Sequence, residues 1–192
     1  MSGAGAGSPD GEPAPESRPP HAGPAPGSRP QLPILRGSRV VLRPLTDADA
    51  PALLALLRDP GVAAWWMRAS WDQINEQGAV VFVVLVDGEV AGSIQYHEET
   101  DPDFHSASVD IFMGDAWQDR RLGSEAMRVL IDHLVEDRGH HRITVDPATA
   151  NERAVRVYER LGFRRVGVMR AYERVPDGTW RDALLMELIV GA

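Results

Sequence analysis

A chain of 192 residues with a net charge of −8, no cysteine and only arginine among its 20 basic residues is long enough for one ordinary domain and a tail. The missing cysteine excludes disulfides, thiolate metal ligands and a covalent cysteine intermediate, and the missing lysine excludes a Schiff base and the lysine of a phosphate-binding P-loop. The acidity argues against nucleic acid and suits either a polycationic small molecule or solubility alone; with no continuous apolar span and no basic-then-apolar leader, the expected place is the cytoplasm, off the membrane.

Residues 1–36 are rich in Pro, Gly, Ala and Ser and contain almost no large apolar side chain, so they are expected to form a disordered leader ahead of a folded domain at 37–192. Their charges cancel: Asp10, Glu12 and Glu16 balance Arg18, Arg29 and Arg36. Strand character begins at Arg39. Thr46 then starts a helix, with Asp49 three positions on in a weak capping box and Leu53, Leu54, Leu56 and Leu57 supplying its core face. From Gly61 to Gly78 the pattern is irregular and holds Trp65, Trp66 and Trp71; two adjacent tryptophans cannot face one core, so one is expected to line a cleft.

The run 80–86, the turn Asp87-Gly88 and the run 90–96 predict a hairpin, its first strand covered on both faces. His97 to His105 is read as an acidic connector. A central strand, Ala107 to Met113, carries Asp110 on the face opposite Val109, Ile111 and Met113. A carboxylate there is costly unless it is paired, at an edge, or useful. A polar loop through Gln118, Arg120 and Arg121 reaches Gly123 and opens a helix whose free N–H groups and dipole suit an anion, read as the pyrophosphate of a nucleotide-like cofactor. A strand at 142–146, a helix capped by Asn151 and ended by Gly162, and a closing antiparallel pair (163–170 and 182–190) complete the domain. The adjacent His140 and His141 diverge on a strand, which disfavours metal ligation. This order predicts a mixed α/β fold: a largely antiparallel sheet with one parallel crossover at its centre.

Asn151, Ala154 and Tyr158 share a helix face, so Tyr158 is either core or a proton donor in a cleft. The arrangement WQDRRLGSEAM followed by ITVDPATANERAVRVYERLGF resembles the GNAT superfamily of acetyl-CoA-dependent N-acetyltransferases over residues 38–190. Arg121 stands where that family's loop usually has its first glycine. The resemblance implies a central, twisted, mostly antiparallel sheet of six to seven strands with helices on both faces. It also implies acetyl-CoA held by Ile111, Phe112 and Met113, by the loop residues Gln118, Asp119, Arg120, Arg121, Leu122, Gly123 and Ser124, and by Asn151, Ala154 and Tyr158.

The paired Trp65-Trp66, the acidic stretch at 98–102, Asp110 and Asp146-Pro147 are most like the aminoglycoside 6'-N-acetyltransferases, whereas the C-terminal RAYERVPDGTWRDALLMELI is also like enzymes acting on ribosomal-protein N-termini. An ammonium is no nucleophile, and the family comparison gives Asp110 the task of accepting its proton. Tyr158 is expected to protonate the departing thiolate, a main-chain N–H near Phe112 or Met113 to meet the thioester oxygen, and transfer to be direct in a ternary complex. Trp66 is expected to wall the amine site, with Glu98, Glu99, Asp101, Asp110 and Asp146 as ammonium partners. The competing readings are a protein N-terminal or other cellular amine acetyltransferase and a catalytically idle acyl-CoA-binding module; the assembly expected is a monomer or homodimer.

Overall fold

The computed structural model describes residues 32–66, 70–75 and 78–191. Expectations for residues 1–31 lie outside that set. The last part of the expected leader does not: Leu35–Arg36 (β1) pairs antiparallel with Val40–Pro44 (β2). Thr46 leads through a 3-10 turn into Ala50–Leu56 (α1), followed by the single turns Pro60–Ala63 (α2) and Trp71–Ile74 (α3). Three antiparallel strands come next, Val80–Val86 (β3), Glu89–Glu99 (β4) and Ser106–Met113 (β5). Leu122–Asp132 (α4) continues through a π turn to Asp137 and leads to Arg142–Val145 (β6); Glu152–Arg160 (α5) and the hairpin Arg164–Arg174 (β7) and Trp180–Ile189 (β8) finish the chain.

The strands form one sheet of eight in the order β1-β2-β3-β4-β5-β6-β8-β7, in which β5 and β6 are the parallel neighbours. The eighth strand is β1, two residues long and too short for alternation to reveal. Strand β4 also runs through Glu99, so the first residues of the expected acidic connector are ladder.

Both faces of the sheet are covered, and β3 shows how. Phe82, Val84 and Val86 pack with α4 and α5 through Leu122, Met127, Leu130 and Val155, while Val81 and Val83 pack with α1 to α3 through Leu53, Val62 and Ile74. Each such fully buried side chain contributes about 1.5–3 kcal/mol of hydrophobic stabilisation.

One ion pair anchors the turn into α1. Arg43 grips the carboxylate of Asp49, which also accepts the Thr46 N–H at 2.9 Å and the Thr46 hydroxyl at 2.8 Å. Asp49 is 4% exposed, and its hydrogen bond from the Arg43 guanidinium pulls its pKa down to about 2 against the cost of burial. A depressed carboxyl adds stability above its unfolded pKa near ~4 and loses it as pH falls toward the folded value. Asp49→Asn is therefore expected to lower stability at neutral pH by about 2 kcal/mol and to flatten the acid limb of a denaturation series between about pH 4 and 2. An acid limb identical to the parent's would show that the pair contributes nothing.

Candidate active site

The parallel pair β5–β6 stays together only at Ala107–Ile143 and Ser108–Thr144. Beyond Val145 the chain turns to β8 instead: Leu184 N–H donates to Pro147 C=O at 2.8 Å, Thr149 N–H donates to Asp182 C=O at 3.0 Å, and Ala148 bridges Ala183. Strand β5 continues without a parallel partner, and a wedge opens between Val109–Met113 and 145–148. The ladder phase decides which groups face it. Gly114 N–H donates to Ala91 C=O at 2.9 Å, and Met113 C=O accepts the Gln118 side-chain amide at 2.8 Å. By antiparallel alternation the main-chain groups of the even residues face β4, and those of Val109, Ile111 and Met113 face the wedge. The Phe112 N–H is thereby directed at β4, which leaves the N–H groups of Ile111 and Met113 facing the wedge and corrects the expectation at Phe112.

The wedge is part of a cleft of about 1340 Å³ that passes from the α4–α5 side of the sheet to the α1–α3 side. On the first side, Arg121 caps α4 in the left-handed conformation (φ 63°, ψ 9°), which turns the following N–H groups toward the cleft. Gly123 sits close against β5, where a Cβ would lie 3.3 Å from Met113 Cγ. Gln118, Asp119, Leu122 and Ser124 line the cleft with them, as do Asn151 and Ala154 of α5. Asn151 caps α5 by accepting the Ala154 N–H at 3.1 Å. Gln118 is spent on structure: besides holding Met113 it accepts Arg153 Nη1 at 2.6 Å, and Arg153 reaches Asp119 at 3.2 Å. Arg120 is not among the residues that line the cleft; its guanidinium lies over the ring of Trp117, which is, at 5.3 Å. Arg128 and Arg160, which no local motif marks, do line the cleft.

Around the wedge lie the expected chemical groups. Asp110 projects on the α1–α3 face beside its cross-strand neighbour Gln95, whose Nε2 donates to Asp110 Oδ2 at 3.3 Å. Gln95 is buried, so this contact fixes the carboxylate from below. Tyr158 is 8% exposed and packs on Phe163 with ring centroids 5.7 Å apart. Burial, and then the charges of Asp110 and Asp146, push its hydroxyl above the ordinary phenol range. Tyr172, on a bulged stretch of β7, donates toward Asp146, and that bond with burial and the charges of Asp146 and Asp110 raises it to about 12. The carboxylates of Asp110 and Asp146 and the phenols of Tyr158 and Tyr172 therefore share one cleft. Trp65 and Trp66 line its far wall, and Trp66 packs on Phe112 with ring centroids 5.0 Å apart.

Three expected ammonium partners are elsewhere. Glu98 pairs with Ala107 in the ladder, which turns it to the α4–α5 face, where it accepts Arg138 Nε at 3.0 Å and bonds His140 Nε2 at 2.8 Å. Glu99 and Asp101 form a local turn at the far end of β4, about 10 Å or more along the strand from Asp110, with Asp101 N–H donating to Glu99 Oε1 at 2.9 Å. None of the three lines the cleft. Tyr172, Glu173, Arg181 and His97 do, and sequence spacing gives no sign of them.

Residues 39–164, more than half of the chain, match the acetyltransferase (GNAT) domain family. The chain belongs to the GNAT acetyltransferases. The aminoglycoside N(6')-acetyltransferase type 1 of Klebsiella pneumoniae is 28% identical over 164 residues, covering 72% of this chain and 79% of its own. The [Ribosomal protein uS5]-alanine N-acetyltransferase of Escherichia coli K12 is also 28% identical, over 130 residues and 66% of each chain. The ribosomal-protein-S5-alanine acetyltransferase of Vibrio fischeri superposes with a TM-score of 0.72 at 20% identity, covering 83% of this chain and 98% of that one. Mycobacterium smegmatis RimJ in complex with CoA-disulfide gives 0.70 at 24% identity, covering 78% and 81%.

GNAT enzymes use acetyl-CoA, and this chain's donor set fits it: edge N–H groups in a wedge, a helix N-terminus, and arginines for phosphate. Arg121 combines a strained backbone with a useful charge. A non-glycine residue in the left-handed region costs about 1 kcal/mol. Arg121→Gly should therefore raise Tm slightly, Arg121→Ala should not, and both should weaken acetyl-CoA about fivefold or more by calorimetry. An unchanged Kd in both variants would remove Arg121 from the cofactor site.

Proposed function

We propose that this acetyltransferase acts on a primary amine of a cationic small molecule of the aminoglycoside type, at its 6'-amine, by direct transfer within a ternary complex. The observation that supports the reading most is that Asp110, on β5, and Asp146, just past β6, line one cleft beside an aromatic wall. A polycation gains from two carboxylates in a partly desolvated cleft and from the faces of Trp65 and Trp66. The 6'-aminoglycoside enzymes among the relatives favour the same substrate. Acetyl-CoA, when bound, supplies an activated acetyl thioester.

The rest belongs to the chain. Asp110 accepts a proton at Oδ from the incoming ammonium, so that a neutral amine is present in the cleft. Tyr158 keeps a proton at Oη in the neutral range and presents it to the cleft. Main-chain N–H groups of Ile111 and Met113 offer fixed dipoles where negative charge develops.

Acetylation of a protein N-terminus is the second reading, favoured by the equally identical ribosomal-protein relative. A thiol-release assay with acetyl-CoA across kanamycin, tobramycin and peptides with free N-termini separates the two. Turnover of aminoglycosides supports the first reading. Turnover of peptides alone, with none of the aminoglycosides at millimolar concentration, overturns it.

A further inference from the structure

The aromatic wall is carried by α2, a helix of one turn that cannot hold its own position. Its first end is pinned to the turn after β5: Gly61 N–H donates to Asp115 Oδ2 at 3.1 Å, and Asp115 N–H donates to Asp59 Oδ2 at 2.9 Å. A Cβ at Gly61 would run into the Asp115 carboxylate, so this junction is tight. The other end presents the carbonyls of Ala64 and Trp65, which have passed the last helical turn and need donors from elsewhere. Both are taken by one side chain from the opposite end of the sequence. Arg181 of β8 donates from Nη2 to Trp65 C=O at 2.7 Å and from Nη1 to Ala64 C=O at 3.3 Å. Its Nε donates to Glu173 Oε2 of β7 at 2.7 Å. The Arg181 side chain is 20% exposed, and the three guanidinium nitrogens are all engaged.

We propose that Arg181 is a positioning residue for the amine site: it straps the far end of α2 to the β7–β8 hairpin, and so fixes the distance between the Trp65–Trp66 wall and the strand that carries Tyr172. This rests on the reading that the cleft receives the amine. The Arg181–Glu173 pair alone would be a partly exposed ion pair of small value. The two carbonyl bonds give it a directional task, since a planar fork reaches two acceptors and an anion together where an ammonium on a flexible stem does not.

The consequence is a division of effects. Loosening the strap leaves Asp110, Tyr158 and the cofactor wedge in place but widens the amine wall, which raises KM for the amine and spares kcat and cofactor affinity. Amide exchange of residues 61–66, steady-state kinetics and acetyl-CoA calorimetry on the full chain test this in Arg181→Ala, Arg181→Lys and Glu173→Gln. In both Arg181 variants, exchange at 61–66 should quicken about tenfold and KM should rise about tenfold, with kcat within about threefold and acetyl-CoA Kd unchanged. Glu173→Gln keeps an oxygen acceptor for the guanidinium and should leave exchange at 61–66 as in the parent. Parental exchange in Arg181→Ala overturns the strap, as does a Glu173→Gln variant that exchanges as fast as Arg181→Ala. Should the alanine variant lose its cooperative melt, Arg181→Lys carries both readouts. A parent that acetylates no amine defeats the functional reading alone, because exchange still decides whether Arg181 holds α2.

Discussion

Asp110→Asn is expected to lower kcat by roughly 10²- to 10⁴-fold while acetyl-CoA Kd stays within about twofold. The substitution keeps the volume and the contact with Gln95, so packing beneath the side chain is preserved. It removes the one property the role needs, a basic oxygen facing the cleft on the same side of β5 as Ser108 and Phe112. The residual rate should climb with pH, because an amine that loses its proton to solvent no longer needs the carboxylate. Saturation kinetics from about pH 6 to 9, with calorimetry on the same preparations, check both parts. A kcat within about threefold of the parent's would leave Asp110 as a binding group only.

Tyr158→Phe is expected to cost roughly ten- to thousand-fold in kcat with little change in Tm, since the ring stays on Phe163 and only the hydroxyl is lost. Burial and two nearby carboxylates raise this phenol above its ordinary value, so it stays protonated across the neutral range. The parent's pH–rate profile should therefore show no descending limb from this group below about pH 10. A descending limb near neutrality that vanishes in the phenylalanine variant would contradict that assignment of the proton, and parental turnover would return Tyr158 to the core.

Much of this is legible in the sequence. Alternation and turn residues mark β2 to β8, and the capped helix from Asn151 marks Tyr158 because helix periodicity is a local property. Asp110 stands out for the same reason, as a charge inside a short apolar strand. What failed depended on register. Glu98 follows His97 directly, yet His97 lines the cleft and Glu98 faces the opposite layer; only the pairing of Glu98 with Ala107 decides that. Arg120 and Arg121 are likewise neighbours, one lying on Trp117 and the other turned into the cleft by a positive φ. Tyr172 and Arg181 were invisible because their partners, Asp146, Ala64 and Trp65, lie far away in sequence.

The two ladder pairs joining β5 to β6 also bear on how the domain comes apart. They form a narrow seam within the sheet, no longer than the β1–β2 ladder at its edge, between a large first half, β1 to β5, and a small second half, β6 to β8. A ligand lodged in that seam acts as mortar. At a hundred times its Kd it adds about 2.7 kcal/mol to the folded state, and most of that gain should appear as slower opening between the halves. On the proposed placement of acetyl-CoA in this gap, the enzyme's cohesion becomes a function of cofactor supply.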